Sequence, residues 1–85
     1  MEYTVLIKLY VPEIEDAYEA YIPINKTVGQ VSSLLNQMVS NLSGAFPTDK
    51  KVSLYNRHTN VLYDRKMLVR DTDIRNGTEL VMVSK

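Results

Sequence analysis

Thr27-Val28-Gly29-Gln30-Val31-Ser32-Ser33-Leu34-Leu35-Asn36-Gln37-Met38-Val39-Ser40-Asn41-Leu42-Ser43-Gly44 is the stretch on which the fold turns. Thr27 and Gln30 stand at the spacing of a capping box, in which the hydroxyl accepts from the amide three residues on and the glutamine side chain reaches back. Val28, Val31, Leu34, Leu35, Met38, Val39 and Leu42 follow at intervals of three and four, so one apolar stripe is expected to run down about four turns of helix. Ser32, Ser33, Asn36, Gln37, Ser40 and Asn41 are left for the wet face. Ser43-Gly44 suits a C-terminal cap, and Pro47 beyond it opposes a continued helix.

Both flanks of this helix read as strands. Before it, Tyr3 to Val11 alternates with Val5, Ile7, Leu9 and Val11 on one face. Pro12-Glu13-Ile14-Glu15-Asp16 interrupts with a proline and three acids, which predicts a loose hairpin loop. Alternation resumes from Ala17 to Ile24, with Tyr18, Ala20, Ile22 and Ile24 opposite Glu19, Tyr21 and Pro23. Pro23 lacks an N–H and so belongs near a strand end or facing outward at an edge.

After the helix, Val52 to Tyr55 predicts a third strand and the polar Asn56-Arg57-His58-Thr59-Asn60 a turn into a fourth at Val61-Leu62-Tyr63. Asp64-Arg65-Lys66 turns the chain again. Met67-Leu68 and Ile74 read as apolar anchors beneath a polar loop, and Asn76-Gly77 leads into a last strand, Glu79 to Val83. The expected order is β-β-α-β-β-β, an α+β fold in which one helix crosses a mixed sheet of four to five strands. The first and last strands are expected to pair in parallel at the centre. The expected core is Val5, Ile7, Leu9, Ile22, Val28, Val31, Leu35, Met38, Leu54, Leu62, Leu68, Ile74, Leu80 and Met82.

Composition narrows the function classes. The chain has 85 residues, room for one domain spanning 1–85, and 45% of them are hydrophobic, enough for a small core. It has no cysteine, which removes disulfides, thiolate metal sites and a thiol nucleophile. Ten basic residues balance ten acidic ones, so no cationic excess exists to displace counterions from a nucleic acid. Met1-Glu2-Tyr3-Thr4 lacks the basic lead of a signal peptide, and no apolar run reaches the roughly 18 residues of a membrane span. The helix carries Ser and Asn on its polar side, not Lys and Arg. A cytoplasmic protein that neither binds nucleic acid nor inserts into a membrane is the expectation.

The segments Leu62-Tyr63-Asp64-Arg65-Lys66-Met67-Leu68 and Ile74-Arg75-Asn76-Gly77-Thr78-Glu79-Leu80, with Thr27-Val28, Val31 and Leu35 at the helix start, resemble the pattern of ubiquitin-like proteins over nearly the whole chain. That resemblance implies a β-grasp fold. One more residue between Leu68 and Ile74 and a longer first hairpin loop separate this sequence from ubiquitin. Length, the Ile74-x-Asn76-Gly77-x-x-Leu80 closing turn and an end just after the last strand are most similar to the bacterial YukD/EsaB-like group, which accompanies type VII (WXG100/ESX-type) secretion systems in Gram-positive bacteria. The resemblance implies an accessory or regulatory role exercised through contacts with secretion-machinery proteins. The alternative is a ubiquitin-like adaptor or regulatory domain unrelated to secretion, including one excised from a larger protein. Conjugation needs a flexible Gly-Gly tail, whereas the sequence as given ends Val81-Met82-Val83-Ser84-Lys85, so a conjugated modifier is not expected.

The residues with chemistry give no catalytic constellation, cofactor cradle or metal set. His58 is the sole histidine and lies in a polar turn with no carboxylate at ligand spacing. Glu13, Glu15, Asp16 and Glu19 depart from calcium-loop spacing and read as a solvated hairpin tip. Asp64, Asp71 and Asp73 alternate with Arg65, Lys66, Arg70 and Arg75 as ion pairs and turn caps would. An enzyme is not expected. The six tyrosines, Tyr3, Tyr10, Tyr18, Tyr21, Tyr55 and Tyr63, all fall on expected strands, and tyrosine suits strands by packing alone. Alternation nevertheless turns Tyr10, Tyr21 and Tyr55 away from the helix, and tyrosine is enriched at binding hot spots. Tyr10, Tyr21 and Tyr55, rimmed by Arg57 and His58, are the candidate protein-binding residues. A monomer or a weak homodimer through a sheet edge is the expected state.

Overall fold

A computed structural model describes residues 3–44, 46 and 51–84; the Pro47 expectation lies outside these. Strand β1 (Thr4–Val11) and strand β2 (Asp16–Pro23) form an antiparallel hairpin, helix α1 (Val28–Ser43) follows, and β3 (Val52–Asn56) and β4 (Glu79–Ser84) complete the set. The sheet order is β2-β1-β4-β3, with β1 and β4 parallel at its centre and both outer pairs antiparallel. The arrangement is the α+β β-grasp expected from the sequence, with four strands.

The helix begins where the capping box places it. Thr27 Oγ1 accepts from the Gln30 amide at 3.1 Å, and Gln30 Oε1 accepts from the Thr27 amide at 3.0 Å. The next two N–H groups, which a helix start leaves without intrahelical partners, donate outside it: Val28 to the Met67 carbonyl at 2.8 Å and Gly29 to that of Arg65 at 2.9 Å. A Cβ on Gly29 would sit 3.2 Å from the Arg65 oxygen, so glycine permits this close approach. Gly44 closes the helix in the left-handed conformation, its N–H donating to Ser40.

The buried face of α1 is rotated from the expected stripe. Val28, Val31, Leu35 and Val39 are buried as expected, but so are Ser32 and Asn36, while Leu34 and Leu42 are 54% and 65% exposed. Ser32 can enter because its hydroxyl donates to the Val28 carbonyl at 2.7 Å, inside its own helix. Leu34, Met38 and Leu42 form an i, i+4, i+8 row along one flank; only Met38, half-buried, packs against the core.

The expected fourth strand does not form. After the turn, Asn56 donates to Val61 and Tyr63 to Leu54, giving one isolated bridge, Tyr55↔Leu62. The Arg65 guanidinium then takes the Val52 carbonyl at 2.6 Å, where a strand would have continued. Phase along this segment is also the reverse of that expected. Tyr63 is buried and Leu62 is 54% exposed, because a bridge at Leu62 sets its side chain on the outer face and a one-residue shift exchanges faces. Likewise Val69 is buried where Leu68 was expected, and Leu68 is half-buried, as are Val5 and Met38. The core also takes in Val11, Val39, Phe46 and Val52.

Tyr63 is admitted because its hydroxyl is met. It donates to Asp73 Oδ1 at 2.7 Å and accepts from Asn56 Nδ2 at 3.0 Å. Asn56 Oδ1 in turn accepts from the His58 and Thr59 amides, which ties the turn after β3 to the same network. Burial foremost, then the Asp73 hydrogen bond, pushes the Tyr63 phenol up to about 12. A phenol whose folded pKa is raised above its unfolded value contributes stability that is full below about pH 10 and lost as pH rises toward 12. Tyr63→Phe is expected to cost about 1–2 kcal/mol at neutral pH and to remove this part of the alkaline loss. Melting curves of both proteins between pH 8 and pH 11.5 check it; parallel curves would show that the phenol contributes nothing.

Candidate functional site

The outer face of the sheet, opposite α1, is built by strand alternation. With Ile7, Leu9, Val11, Leu54, Leu80 and Met82 turned to the core, Lys8, Tyr10, Tyr55, Glu79 and Val81 face outward. Register aligns them in rows. Tyr10 pairs with Ala17 and Val81, and Tyr55 pairs with Val81 and Leu62, so Ala17, Tyr10, Val81, Tyr55 and Leu62 form one apolar row across the sheet. Beside it runs a charged row, Glu19, Lys8, Glu79 and Arg57.

Loop and strand chemistry sets the register. Gly77, at φ 88°, permits a turn whose amide donates to the Leu6 carbonyl, while Asn76 Oδ1 accepts from the Leu6 amide at 2.8 Å. The Lys8 amide donates to Thr78. These bonds deliver β4 beside β1 with Val81 level with Tyr10. At the other end of β4, the Glu13 carboxylate accepts from both the amide and the hydroxyl of Ser84, at 2.8 and 2.6 Å. Glu13 is thus a clamp on β4, and the acids of the first loop are not all a solvated tip as expected. Asp16 there accepts from the Ala17 amide at 2.9 Å.

Of the five candidate residues, four are brought together. Tyr10 and Tyr55 flank Val81, two strand spacings or about 10 Å apart. The Arg57 guanidinium lies 4.2 Å from the Tyr10 ring centroid and donates to Glu79 Oε1 at 2.9 Å. His58 Nε2 meets the same oxygen at 3.1 Å. That Arg57 hydrogen bond, ahead of the surrounding cations, holds the Glu79 carboxyl below the usual carboxylate range. Arg57 thus stacks on the Tyr10 ring while bridging to Glu79. Tyr21 stands apart: it is 70% exposed and opposite Leu6, four residues along β1 from Tyr10, or about 13 Å.

Glu79, Val81, Lys8 and Leu62 complete the surface without having been singled out from the sequence. Alternation in β4 could have offered Val81 and Glu79, but Leu62 required the bridge to Tyr55. Two open hollows lie along the row. One, of about 460 Å³, is lined by Tyr10, Pro12, Ala17, Arg57 and Val81 among others; the second, of about 520 Å³, by Ser53, Leu62, Arg65 and neighbours. Asp64 and Asp73 serve as turn cap and Tyr63 acceptor, and Arg65 and Arg75 donate to backbone carbonyls. Among the described residues no group of three His, Cys, Asp or Glu side chains could hold a metal ion, and no helix is long and apolar enough to cross a membrane.

One helix on a four-stranded mixed sheet with parallel central strands is a ubiquitin-like β-grasp fold, and comparison with solved structures agrees. A chain of the toluene 4-monooxygenase HD complex superposes with a TM-score of 0.80 at 12% identity, over 96% of this chain and 99% of that one. The ubiquitin of Caldiarchaeum subterraneum gives 0.66 at 14% identity, over 96% and 94%. A chain of the ESX-5 inner membrane complex gives 0.73 at 12% identity, over 98% of this chain and 21% of that much longer one. At these identities the likeness is one of fold. No family model and no curated protein matches the sequence.

Proposed function

We propose that this protein is a non-catalytic ubiquitin-like interaction module whose outer sheet face docks a protein partner, and that it serves in the cytoplasm as an accessory of a Gram-positive type VII secretion system. The observation that carries the docking face is the apolar row through Tyr10, Val81, Tyr55 and Leu62, with Arg57 locked on Tyr10 and Glu79. Rigid aromatic side chains beside a pre-positioned guanidinium make contacts at little cost in conformational entropy. Two things favour secretion: the resemblance to the YukD/EsaB-like group, and the fold likeness to a segment of an ESX-5 inner membrane complex chain.

A second reading is an adaptor subunit of another assembly. The likeness to a chain of nearly equal extent in the toluene 4-monooxygenase HD complex favours it. Purification of the tagged protein from its native host separates the two. Co-purification of the secretion membrane complex, lost in a Tyr10→Ala variant, is the expected result. Recovery of oxygenase subunits instead, or of secretion components equally well with the variant, would overturn the first reading.

A further inference from the structure

The sheet has two edges, and they are not alike. On β3 several outward backbone groups are occupied by the segment that follows it, the Val52 carbonyl by Arg65, the Leu54 carbonyl by the Tyr63 amide and the Asn56 amide by Val61, and the bridge at Leu62 lays that segment along the edge. On β2 the Ile24 amide donates to Tyr3, so in the same register Tyr18, Ala20 and Ile22 turn their backbone toward β1. Ala17, Glu19, Tyr21 and Pro23 turn theirs to the free edge. Of these, Ala17 spends its N–H on Asp16 and Pro23 has none. Two donors remain, Glu19 and Tyr21, at the middle of the strand.

We propose that this two-donor window pairs antiparallel with the same window of a second copy, about a two-fold axis through Ala20, joining two sheets into one of eight strands. In that register Glu19 and Tyr21 of one copy exchange both backbone hydrogen bonds with Tyr21 and Glu19 of the other, four bonds in all. The next pair outward on either side sets Ala17 against Pro23, neither with a free N–H, so the ladder stops of itself. Shifting the axis to Glu19 places two like charges opposite each other on one face, which is destabilising. Shifting it to Tyr21 drives the Pro23 ring into the partner's Glu19 carbonyl, at the hydrogen-bonding pair next to the axis on both sides. Glu19 facing Tyr21 has neither fault, and two alanines meet at the axis. The closed two-fold also consumes the open edge, which otherwise invites uncontrolled strand pairing.

A short edge ladder buries less than the roughly 1,200 Å² of a stable complex, so the dimer is weak, with a Kd of about 0.1 to 1 mM. Its consequence is bivalence: the axis stands normal to the sheet, so both outer faces look the same way and a repeated partner meets two docking rows at once.

Sedimentation velocity of the full chain from 10 μM to 2 mM should show the mass rising from 9.7 kDa toward twice that value. Tyr21→Pro deletes one edge donor per copy and no bond of the native ladder, and it should weaken dimerisation at least tenfold with the circular dichroism spectrum unchanged. Independently, Ala20→Cys places the only thiols of the pair across the axis at a non-hydrogen-bonded position, about 4.5 Å between Cα atoms, within disulfide reach. Oxidation should cross-link it, whereas Ser33→Cys on α1 should stay monomeric. A wild-type chain still 9.7 kDa at 2 mM would overturn the proposal and leave the edge to another protein's segment. So would a dimer in which Ala20→Cys cross-links no better than Ser33→Cys.

Discussion

Leu80→Ala is expected to lower the free energy of unfolding by about 3–4 kcal/mol, the range for removing a fully buried leucine from a packed core. Leu80 is 0% exposed and sits on the inner face of β4, level with Leu9 on β1 and Asn56 on β3. It lies where the parallel and antiparallel ladders meet, so neighbours held on both sides by hydrogen bonds have little freedom to close the void. A domain of this size is stable by only about 4 to 13 kcal/mol, and the variant should be partly unfolded well below the melting temperature of the parent. Urea titration by circular dichroism checks it: the midpoint should fall with the slope unchanged. Leu62→Ala is the matched control. Because Leu62 is exposed, its loss should cost less than about 0.5 kcal/mol, and equal costs at the two positions would mean that the placement of this segment is wrong.

The second large effect is on binding. On the proposed docking face, Tyr10→Ala is expected to weaken partner binding about 30-fold, equivalent to about 2 kcal/mol. Two losses add here. The ring itself leaves the apolar row, and the Arg57 guanidinium loses the aromatic face it stacks on. Tyr21→Ala, removed from that row by the sheet geometry, should change affinity less than about threefold. Titration calorimetry against the co-purified partner, with each variant's melting temperature measured alongside, distinguishes lost contact from lost fold. An undiminished affinity in Tyr10→Ala would place the interface on another face.

Much of the architecture was legible in the chain because its signals are local. The capping box at Thr27 and Gln30, the period-two alternation of β1, β2 and β4, and the Asn76-Gly77 turn each depend on residues within a few positions of one another. Tyr10, Tyr21 and Tyr55 could be placed on the outward face on the same grounds, whereas the stacking of Arg57 on Tyr10 could not. Where local patterns are ambiguous, tertiary contacts decide. Val61-Leu62-Tyr63 has the composition of a strand, yet Arg65 reaches Val52 and ends the pairing after one bridge. Ser32 looks solvent-facing by type and is buried by virtue of one hydrogen bond to its own helix.

What the amino-acid order determined by itself is the order of β1, β2, α1, β3 and β4, the inward faces of those strands and the pairing of the first hairpin, since period and turn chemistry act over short separations. Only the tertiary structure decided which residues from different strands share a row, that Glu79 gathers Arg57 and His58 while Arg57 covers Tyr10, and that Tyr21 is set apart at an edge. Those relations depend on the register between segments about 20 to 70 residues apart. Register of that kind is a balance of backbone hydrogen bonds and core packing over the whole sheet, and no short stretch of sequence carries it.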